Sequence, residues 1–341
     1  MVEASPVIAE GSLPEEPPTA GAPASRVRRV LAGAPPWTGV GVVWIGLVIG
    51  LALTQDAFFT YTNLTDILRN NSVPLLMATG ATFVLITGMI DLSIGSMLGL
   101  GAVIMFGFMK LGIPVVLVIP LTILAGALLG GGFNGVLISK FNLSFFVVGL
   151  GSTSLFLAAA QLPTDGQPAD LSGRAGFDVI NWIGDGSIEG FPVPGIIALC
   201  GVIVGGLVLR YLNLGRALFA VGGNEKAANL VGIPVVRVRI IAFAMGGAFV
   251  GIASLVLAGR TFSADPQGGL GTELTAIAAV LLGGTSFLGG SGTMVGTLVA
   301  VLFVGTLQNG LTLIGVQQFW QGAVTGAVLI IAVALDRLRQ R

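Results

Sequence analysis

Ten apolar stretches follow one another along the chain, each close to the roughly 17–25 residues that an α-helix needs to cross a bilayer. They lie at about 37–54, 72–90, 94–109, 114–138, 144–161, 195–212, 238–258, 274–289, 293–314 and 319–335. Only Asp91 to Ser93 separate the second stretch from the third, and a run of glycine and serine separates the eighth from the ninth. The pattern predicts an all-α membrane protein of about ten transmembrane helices, with a broken or half-spanning helix as the alternative at those two junctions.

Polar tails flank this apolar region. Residues 1–36 are rich in Pro, Ala and Glu and contain Arg26, Arg28 and Arg29. Such a segment buries too little apolar surface to fold alone, so we expect a disordered cytoplasmic tail. Residues 336–341 form a short basic tail, and residues 37–335 are predicted to be a single transmembrane domain.

Basic residues are distributed unevenly between the segments that join the stretches. If all ten stretches cross the bilayer, the side opposite the N-terminus holds only four of the 16 Lys and Arg residues, which are Arg69, Lys110, Arg174 and Arg260. All the others fall on the side of the N-terminus. Because Lys and Arg accumulate in cytoplasmic loops, both termini are predicted to lie in the cytoplasm.

Composition supports a membrane protein. Hydrophobic residues make up 54% of the 341 residues, charged residues 9%, and the mean hydropathy is +0.95. A soluble protein carries about 25% charged residues, so this chain is expected to contact membrane lipid. The 53 glycines suit helices that pack through small residues. Six pairs lie four residues apart: Gly46/Gly50, Gly95/Gly99, Gly126/Gly130, Gly201/Gly205, Gly247/Gly251 and Gly322/Gly326.

The residues that would support catalysis are missing. The chain has no histidine, its single Cys200 lies in an apolar run, and no P-loop sequence or Cys/His cluster occurs. We therefore expect a chain that is not an enzyme, has no catalytic residue, binds no metal or cofactor itself, and has no nucleic-acid partner.

A segment predicted to lie in the cytoplasm, at about 213–237, contains a short helix with signals at both ends. Asn224 is a favourable N-cap, and Glu225 complements the positive end of the helix dipole. Gly232, followed by Pro234, ends the helix. A helix of about seven residues is marginal in water and needs a surface to dock against. That surface is either a soluble cytoplasmic partner or the lipid headgroups.

The other long loop, at about 162–194, is predicted to lie outside. It carries five acids against Arg174 as its one basic residue: Asp165, Asp170, Asp178, Asp185 and Glu189. Two interpretations stay open, a solvated cap and an element that docks an extracytoplasmic partner or gates the path.

Three stretches carry longer motifs. The first stretch begins with Phe-Phe-Thr at 58–60 and leads to Leu-Ile-Thr-Gly-Met-Ile-Asp-Leu-Ser-Ile-Gly-Ser at 85–96. The second contains Gly-Gly-Asn-Glu at 222–225. Residues 273–286 read Glu-Leu-Thr-Ala-Ile-Ala-Ala-Val-Leu-Leu-Gly-Gly-Thr-Ser, and the third stretch continues to Asn-Gly-Leu at 309–311. In this order they resemble the permease subunits of ATP-binding-cassette (ABC) importers of the ribose/xylose/arabinose type, related to the branched-chain amino-acid permeases.

The resemblance implies a type II ABC importer-like permease fold in the bacterial plasma (inner) membrane, with two copies of the chain, a homodimer, lining a central path. It implies an extracytoplasmic solute-binding protein that delivers a monosaccharide. It also implies a cytoplasmic ABC ATPase that holds ATP and Mg²⁺ and seats a coupling helix. The residues it assigns to that contact are Gly222, Gly223, Asn224, Glu225, Ala227, Ala228 and Gly232.

One region departs from the family pattern. Sugar permeases of this type are expected to have an arginine and then a Tyr/Thr/Asn stretch near the outer end of the fifth helix. Residues 155–166 instead read Leu-Phe-Leu-Ala-Ala-Ala-Gln-Leu-Pro-Thr-Asp-Gly. The particular sugar is therefore left open.

Two acids lie at predicted helix starts. Asp91, with Ser93, fits an N-cap of the third helix, and Glu273 fits the first turn of the eighth. An ionisable group at membrane depth also suits ion transfer. The alternative function is therefore a secondary transporter driven by an ion gradient through Asp91.

Polar and aromatic residues within the stretches are candidates for the translocation path. The amides of Asn134 and Asn309 suit sugar hydroxyls, and Phe145 and Phe146 suit a gate. Packing and interhelical hydrogen bonds are the alternative for all four. The same two interpretations apply to a further polar set: Gln308, Thr312, Gln318 and Gln321.

Overall fold

Most of the chain is α-helical in the computed structural model, which describes residue 35 and residues 37–317, 320–324 and 326–327. The first half contains α1 Thr38–Thr54, α2 Tyr61–Ile86, α3 Ile94–Lys110, α4 Val115–Ala127, α5 Val136–Ser139 and α6 Phe145–Gln161. The second half contains α7 Phe177–Asp185, α8 Val193–Tyr211, α9 Asn213–Gly223, α10 Glu225–Leu230, α11 Val235–Thr261, α12 Thr272–Leu282 and α13 Met294–Leu313. The predicted tails, and most of the tenth stretch at 319–335, lie outside the described residues.

Five helical segments of the described chain are long and apolar enough to cross a membrane: Val115–Ser139, Phe145–Thr164, Val193–Tyr211, Val235–Thr261 and Met294–Leu313. Three shorter apolar helices accompany them: Thr38–Thr54, Ile94–Lys110 and Thr272–Leu282. The prediction of a helical membrane fold is confirmed.

The helix α2 begins earlier than the sequence pattern predicts. The second apolar stretch begins at 72, whereas α2 begins at Tyr61, where the Thr60 hydroxyl accepts a hydrogen bond from the Asn63 amide at 3.3 Å. The added turns contain polar residues such as Asp66 and Arg69, so a hydropathy window misses them. A local N-cap therefore marks the true start of the helix.

The helical path is interrupted at both of the junctions where the sequence allows a broken or half-spanning helix. Residues 87–93 leave the helix after Ile86 and include the buried Thr87, Asp91 and Ser93, so the second stretch ends before residue 90. At the other junction α12 has only 11 residues. At a rise of about 1.5 Å per residue it covers about half of a bilayer of about 30 Å. The prediction of a helix over 274–289 is wrong, and the half-spanning alternative applies.

The long helix α11 lies at the centre of the fold and contacts α2, α3, α4, α7 and the π-helical turn Leu128–Gly135. Its contact with α4 and that turn is made by glycines. A Cβ placed on Gly247 would lie 2.0 Å from the Gly126 carbonyl oxygen, and one on Gly130 would lie 2.2 Å from the Phe243 carbonyl oxygen. The two backbones therefore touch directly, as helices in lipid do when small residues face each other.

The other glycine pairs do not all serve packing. The pairs Gly95/Gly99 and Gly201/Gly205 also face close neighbours. A Cβ placed on Gly46, Gly50, Gly322 or Gly326 would meet nothing within 4 Å among the described residues. The pairs Gly46/Gly50 and Gly322/Gly326 therefore make no such packing contact with the described part of the chain.

Both long loops carry secondary structure. The segment predicted to lie outside contains α7, with Ile180 fully buried, and three short strands. The strand β1 Ala169–Asp170 pairs with β4 Ser263–Ala264, which follows α11, and β2 Ser187–Ile188 pairs with β3 Phe191–Pro192. The segment predicted to lie inside contains α9 before the expected short helix, with Leu218 and Val221 buried.

Gly247→Ala is expected to destabilise the protein, because the new methyl group would lie 2.0 Å from the Gly126 carbonyl oxygen and would push α4 and α11 apart. Overpacking of this kind costs about 1–3 kcal/mol. The measurement is the thermal midpoint of the detergent-solubilised protein, followed by size-exclusion chromatography.

Gly46→Ala in α1 is the matched control. It introduces the same methyl group where nothing lies within 4 Å, and alanine favours a helix over glycine by up to about 1 kcal/mol. We expect its midpoint to stay equal or rise. Equal loss of stability in both variants would contradict the proposed backbone contact.

Candidate functional site

The short helix α10, Glu225–Leu230, has both of the end signals that the sequence predicts. The Asn224 side-chain oxygen accepts a hydrogen bond from the Ala227 amide at 3.0 Å. Gly232 closes the helix with φ of +83°, and the Ile233 amide donates to the Ala228 carbonyl at 3.0 Å. These bonds satisfy backbone groups that a helix end otherwise leaves open.

The two faces of α10 differ. Ala228 is buried against the rest of the chain, whereas Ala227 is exposed. Leu230 and Val231 are 87% and 76% exposed, side by side at the end of the helix. Adjacent large apolar side chains on a polar segment are typical of a surface that binds another molecule.

An ion pair attaches α10 to the central helix. Arg239, in α11, donates to both carboxylate oxygens of Glu225, at 3.0 Å and 2.7 Å. The Arg239 side chain is only 11% exposed, so its guanidinium group is held in place while Glu225 reaches it from the surface. A two-bond contact between guanidinium and carboxylate fixes direction as well as distance. The orientation of α10 is therefore coupled to that of α11.

The start of this segment contacts both breaks in the helical path. A Cβ on Gly222 would lie 1.8 Å from the carbonyl oxygen of Ile86, where α2 ends, and 2.5 Å from the amide nitrogen of Gly290. The Gly290 amide donates to the same Ile86 carbonyl at 2.9 Å. Only a residue without a side chain fits this contact. We call residues 86–88, 222–223 and 289–290 the glycine junction.

Each predicted coupling residue therefore has a distinct position. Gly222 is packed into the glycine junction and Ala228 is buried, so both hold the segment against its own chain. A Cβ on Gly223 would meet nothing within 4 Å, and Ala227 is exposed. These two point away from the chain. Asn224, Glu225 and Gly232 shape and anchor the helix.

A fully hydrogen-bonded polar network surrounds Asp91. The Ser93 amide and hydroxyl both donate to one carboxylate oxygen of Asp91, at 2.9 Å and 2.6 Å. Asn134 donates to the Ser93 hydroxyl at 2.7 Å and accepts from the Ser152 hydroxyl at 2.6 Å. Asp91 thus ties together residues at the start of α3, the π-helical turn and α6.

This network shows that Asp91 and Asn134, two of the predicted functional residues, hold neighbouring helices together in this conformation. Asp91 is 6% exposed and Asn134 is fully buried, so neither faces open space in this conformation. Buried polar groups with complete hydrogen bonding stabilise one arrangement of the helices around them. No contact between Asn134 and a solute is available in this arrangement, and its role in the path stays a prediction.

Glu273 lies in the first turn of α12, as the sequence predicts. One of its carboxylate oxygens is buried without a hydrogen-bond partner among the described residues. A Cβ on Gly95, at the start of α3, would lie 2.0 Å from that oxygen. The carboxylate therefore sits between the N-terminal ends of two helices, where the helix dipoles favour negative charge.

The remaining candidate residues of the translocation path lie in the core, on the surface and beside a cavity. Phe145 packs against the core, whereas Phe146 is 56% exposed on α6. Asn309 exchanges two hydrogen bonds with Asn63, at 2.7 Å and 3.2 Å. It also lines a cavity of about 600 Å³ between α2 and α13, together with Gln308 and other polar residues. Gln318 lies outside the described residues.

A membrane-embedded helical chain with glycine-packed helices and a capped surface helix matches a known family along most of its length. The family described as "Branched-chain amino acid transport system / permease component" matches residues 63–333. The chain belongs to this permease family. No solved structure shows a significant match to it.

Several curated relatives of this permease cover nearly its whole length. The ribose import permease protein RbsC of Bacillus subtilis is 41% identical over 292 residues, which is 85% of this chain and 89% of the relative. The L-arabinose ABC transporter permease protein AraH of Azospirillum brasilense is 34% identical, with 89% of this chain and 88% of the relative covered. The D-allose transport system permease protein AlsC of Escherichia coli is 32% identical, with 89% and 92% covered.

Membership of this permease family, with the five apolar helices, identifies a multi-pass protein of the bacterial inner membrane. The relatives identify a sugar ABC permease, a transport component rather than an enzyme. The resemblance stated from the motifs is confirmed.

Sequence reasoning missed several residues of this permease that the structure brings to the candidate site. The sequence identifies Arg239 only as a basic residue, since its pairing with Glu225 depends on how α10 folds back on α11. It places Leu230 and Val231 only within a short helix and at its end. The sequence does carry a signal for this exposed apolar pair, which is the presence of two large apolar residues between an N-cap and a terminating glycine. A helix that short has little core of its own in which such side chains could be buried.

Asp91→Asn is expected to leave the permease folded and active. The side-chain oxygen of asparagine can still accept from the Ser93 amide and hydroxyl, so that the start of α3 keeps its partners. Asp91→Leu removes the acceptor, leaves buried donors without partners, and is expected to cost about 1–3 kcal/mol for each of them. The measurements are thermal stability and solute uptake into vesicles.

The outcome of this comparison separates the structural role from ion transfer. Loss of uptake in Asp91→Asn with unchanged stability, together with uptake that persists without ATP and collapses with the ion gradient, would support a secondary transporter. Normal uptake in Asp91→Asn supports the structural role.

Proposed function

We propose that this permease is the membrane subunit of an importer that moves a monosaccharide into the cell, driven by ATP hydrolysis in a separate cytoplasmic ABC ATPase. Two copies of the chain form a homodimer around the path. An extracytoplasmic solute-binding protein delivers the cargo. The chain crosses the membrane about ten times, with both termini in the cytoplasm.

The observation that carries this proposal is the construction of α10. One face of the helix is bonded to its own chain through Glu225 and Arg239 and through the glycine junction. The other face leaves Leu230 and Val231 exposed without a partner in the described structure. A helix anchored on one side, with two large apolar side chains exposed at its C-terminal end, is suited to receive a soluble partner on the face predicted to be cytoplasmic.

The contacts of α10 offer a route for movement into the membrane domain. When the ATPase closes on ATP, it displaces α10, and the pair formed by Glu225 and Arg239 carries the displacement to α11. At the same time Gly222 presses on Ile86 and Gly290, which belong to the two breaks in the helical path. Helix ends at such breaks move with little loss of helix hydrogen bonds, since those bonds already end there.

Transport then proceeds by alternating access. The loaded binding protein and ATP each favour one of two arrangements of the permease pair, because each makes different contacts in the two arrangements. Phe146 and its neighbours on α6 form an exposed apolar face that suits the second copy or lipid. Phe145, Phe146, Asn134 and Asn309 remain candidates for the path between the copies.

The names of the relatives support a monosaccharide as cargo, since those proteins are ribose, D-allose and L-arabinose permeases. The departure at residues 155–166 leaves the particular sugar to direct measurement. Because the binding protein meets the cargo first, binding measurements on that protein identify the sugar most directly.

Gly223→Leu is expected to uncouple ATP hydrolysis from uptake. A Cβ at this position would meet nothing within 4 Å among the described residues, so the permease should fold normally while the leucine protrudes toward the ATPase. The measurement is sugar uptake per ATP hydrolysed by the complete complex in proteoliposomes. Ala227→Leu, on the exposed face, is expected to act in the same way.

Gly46→Leu in α1 provides a control, since a Cβ there also meets nothing within 4 Å among the described residues and α1 packs against α13. It should leave binding of the ATPase unchanged. Unaltered uptake and coupling in both Gly223→Leu and Ala227→Leu would overturn the assignment of α10.

Arg239→Met tests the anchor of α10 without changing its exposed face. The pair is partly exposed, so its loss is expected to cost only about 1 kcal/mol of stability or less. The ATPase should still bind, whereas uptake per ATP should fall, because α10 then moves without α11. A matching result is expected for Glu225→Gln. Equal coupling in wild type and both variants would contradict transmission through this pair.

A further inference from the structure

A cavity of about 600 Å³ opens between α2 and α13 and extends to the residues that follow α13. Its volume lies within the range of about 300–1,000 Å³ that is usual for small-molecule sites. Gln308 lies fourteen positions beyond Met294, where α13 begins, which at about 1.5 Å per residue is about 20 Å along the helix. The cavity therefore lies at the opposite end of α13 from the glycine junction.

The polar lining of the cavity is made of neutral groups. It consists of amides and one hydroxyl: Asn70, Asn71, Gln308, Asn309, Gln321 and Thr312. None of the described lining residues carries a formal charge. Amide side chains each offer both donors and acceptors, and so does a hydroxyl. This set matches a molecule whose surface is also made of neutral groups that donate and accept at once.

Several of these side chains are held in position by their neighbours. Asn309 is paired with Asn63, and Asn70 accepts a hydrogen bond from the guanidinium of Arg260. The Asn71 amide occupies the space that a side chain on Gly305 would need, since a Cβ there would lie 1.9 Å from its oxygen. Groups fixed in this way lose little freedom when a ligand binds.

Other polar groups at the cavity are available to a ligand. The Gln308 side chain is exposed and makes no hydrogen bond with the described residues. The Gln321 amide nitrogen donates to the Thr312 hydroxyl at 3.2 Å and to the Val316 carbonyl at 2.9 Å, and its side-chain oxygen has no hydrogen bond to the described part of the chain. The cavity thus combines fixed amides with free ones.

We propose that this cavity binds a neutral polyhydroxylated solute of monosaccharide size, with Gln308, Asn309, Thr312 and Gln321 as its contacts. The site deepens the proposed function and rests on it, as a station for the solute at the end of the permease remote from α10. Sugar hydroxyls donate and accept in the same way as these side chains.

The same lining disfavours an amino acid, although the family is described by its branched-chain amino-acid transporters. A zwitterion brings a carboxylate and an ammonium group, and each needs an opposite charge when it leaves water. The guanidinium of Arg260 lies next to the cavity but is engaged by Asn70 and by the Arg69 carbonyl. The discrimination between the two ligand classes can therefore be measured.

Protection of a single cysteine tests binding directly. Cys200→Ser removes the only cysteine of the chain, and Gln308→Cys then places one thiol at the cavity. The thiol is labelled with N-ethylmaleimide in the complete complex in proteoliposomes, with and without saturating D-ribose, D-allose or L-arabinose. We expect at least one sugar to slow labelling severalfold and L-leucine to have no effect.

Thr54→Cys in the same background is the matched control, because Thr54 is an exposed threonine at the end of a different helix. Its labelling should be unaffected by every solute. Labelling of Gln308→Cys that no sugar slows, or that sugars slow equally at Thr54→Cys, overturns the site. Slowing by L-leucine but by no sugar overturns the assigned ligand class.

Sugar uptake by Thr312→Val provides a second readout in which the fold is preserved. Thr312 and Thr54 each donate to the carbonyl four residues earlier, at 3.0 Å and 2.8 Å, so Thr54→Val controls for the loss of that intrahelical bond, whereas Thr312→Val also removes the acceptor of the Gln321 amide. Loss of one hydrogen bond to the sugar is expected to raise the KM of Thr312→Val about fivefold, with Thr54→Val at the wild-type value.

The two proposals fail in different ways. Protection at Gln308→Cys without any ATP-driven uptake in wild type contradicts the importer and retains the site. ATP-driven uptake in wild type, with no protection and a wild-type KM in Thr312→Val, overturns the site and retains the importer.

Discussion

The direct contact between the backbones of α4 and α11 is the interaction on which the rest of the fold depends. Lipid supplies no hydrophobic force that would push two apolar helices together, so close approach of the backbones must supply the attraction. Glycines at 126, 130 and 247 allow that approach because a single methyl group at any of them would overlap a backbone atom. The helix α11 thereby becomes the central element against which α2, α3 and α7 pack.

The fold packed around α11 contains two segments, after α2 and after α12, in which the helical path is interrupted. The break after α2 consists of buried and partly buried residues, which is the condition for irregular structure within a membrane. At the first break the network of Asp91, Ser93 and Asn134 satisfies the buried polar groups. The glycine junction brings the ends of both breaks against the segment that leads into α10. A displacement of one surface helix can therefore reach two interior points at once.

Local signals in the sequence predicted the local structure well. Asn224 and Gly232 set the ends of α10 because capping depends only on residues within one turn. The start of α2 at Tyr61 was missed since polar turns lower the hydropathy of a helix without interrupting it. The sequence does not distinguish a half-length α12 from a full-length one, because an apolar run has the same appearance in both.

Contacts between distant segments were beyond the sequence pattern. The pairing of Glu225 with Arg239, and that of Asn63 with Asn309, depends on how separate helices are placed side by side. The same holds for the glycine pairs, since Gly46/Gly50 and Gly247/Gly251 have identical spacing but only the second pair meets a neighbouring backbone. A pair of glycines four residues apart indicates that a helix can pack closely, but the position of the neighbouring helix determines whether it does.

The central claim is that α10 receives the ATPase and passes its movement inward. Hydrogen–deuterium exchange of the permease in nanodiscs, with and without the cognate ATPase, tests it most directly. The claim predicts slower exchange in residues 222–232 when the ATPase binds, with a further change at residues 86–88 and 289–290 on addition of ATP. Bound ATPase with unchanged exchange over 222–232 would contradict it.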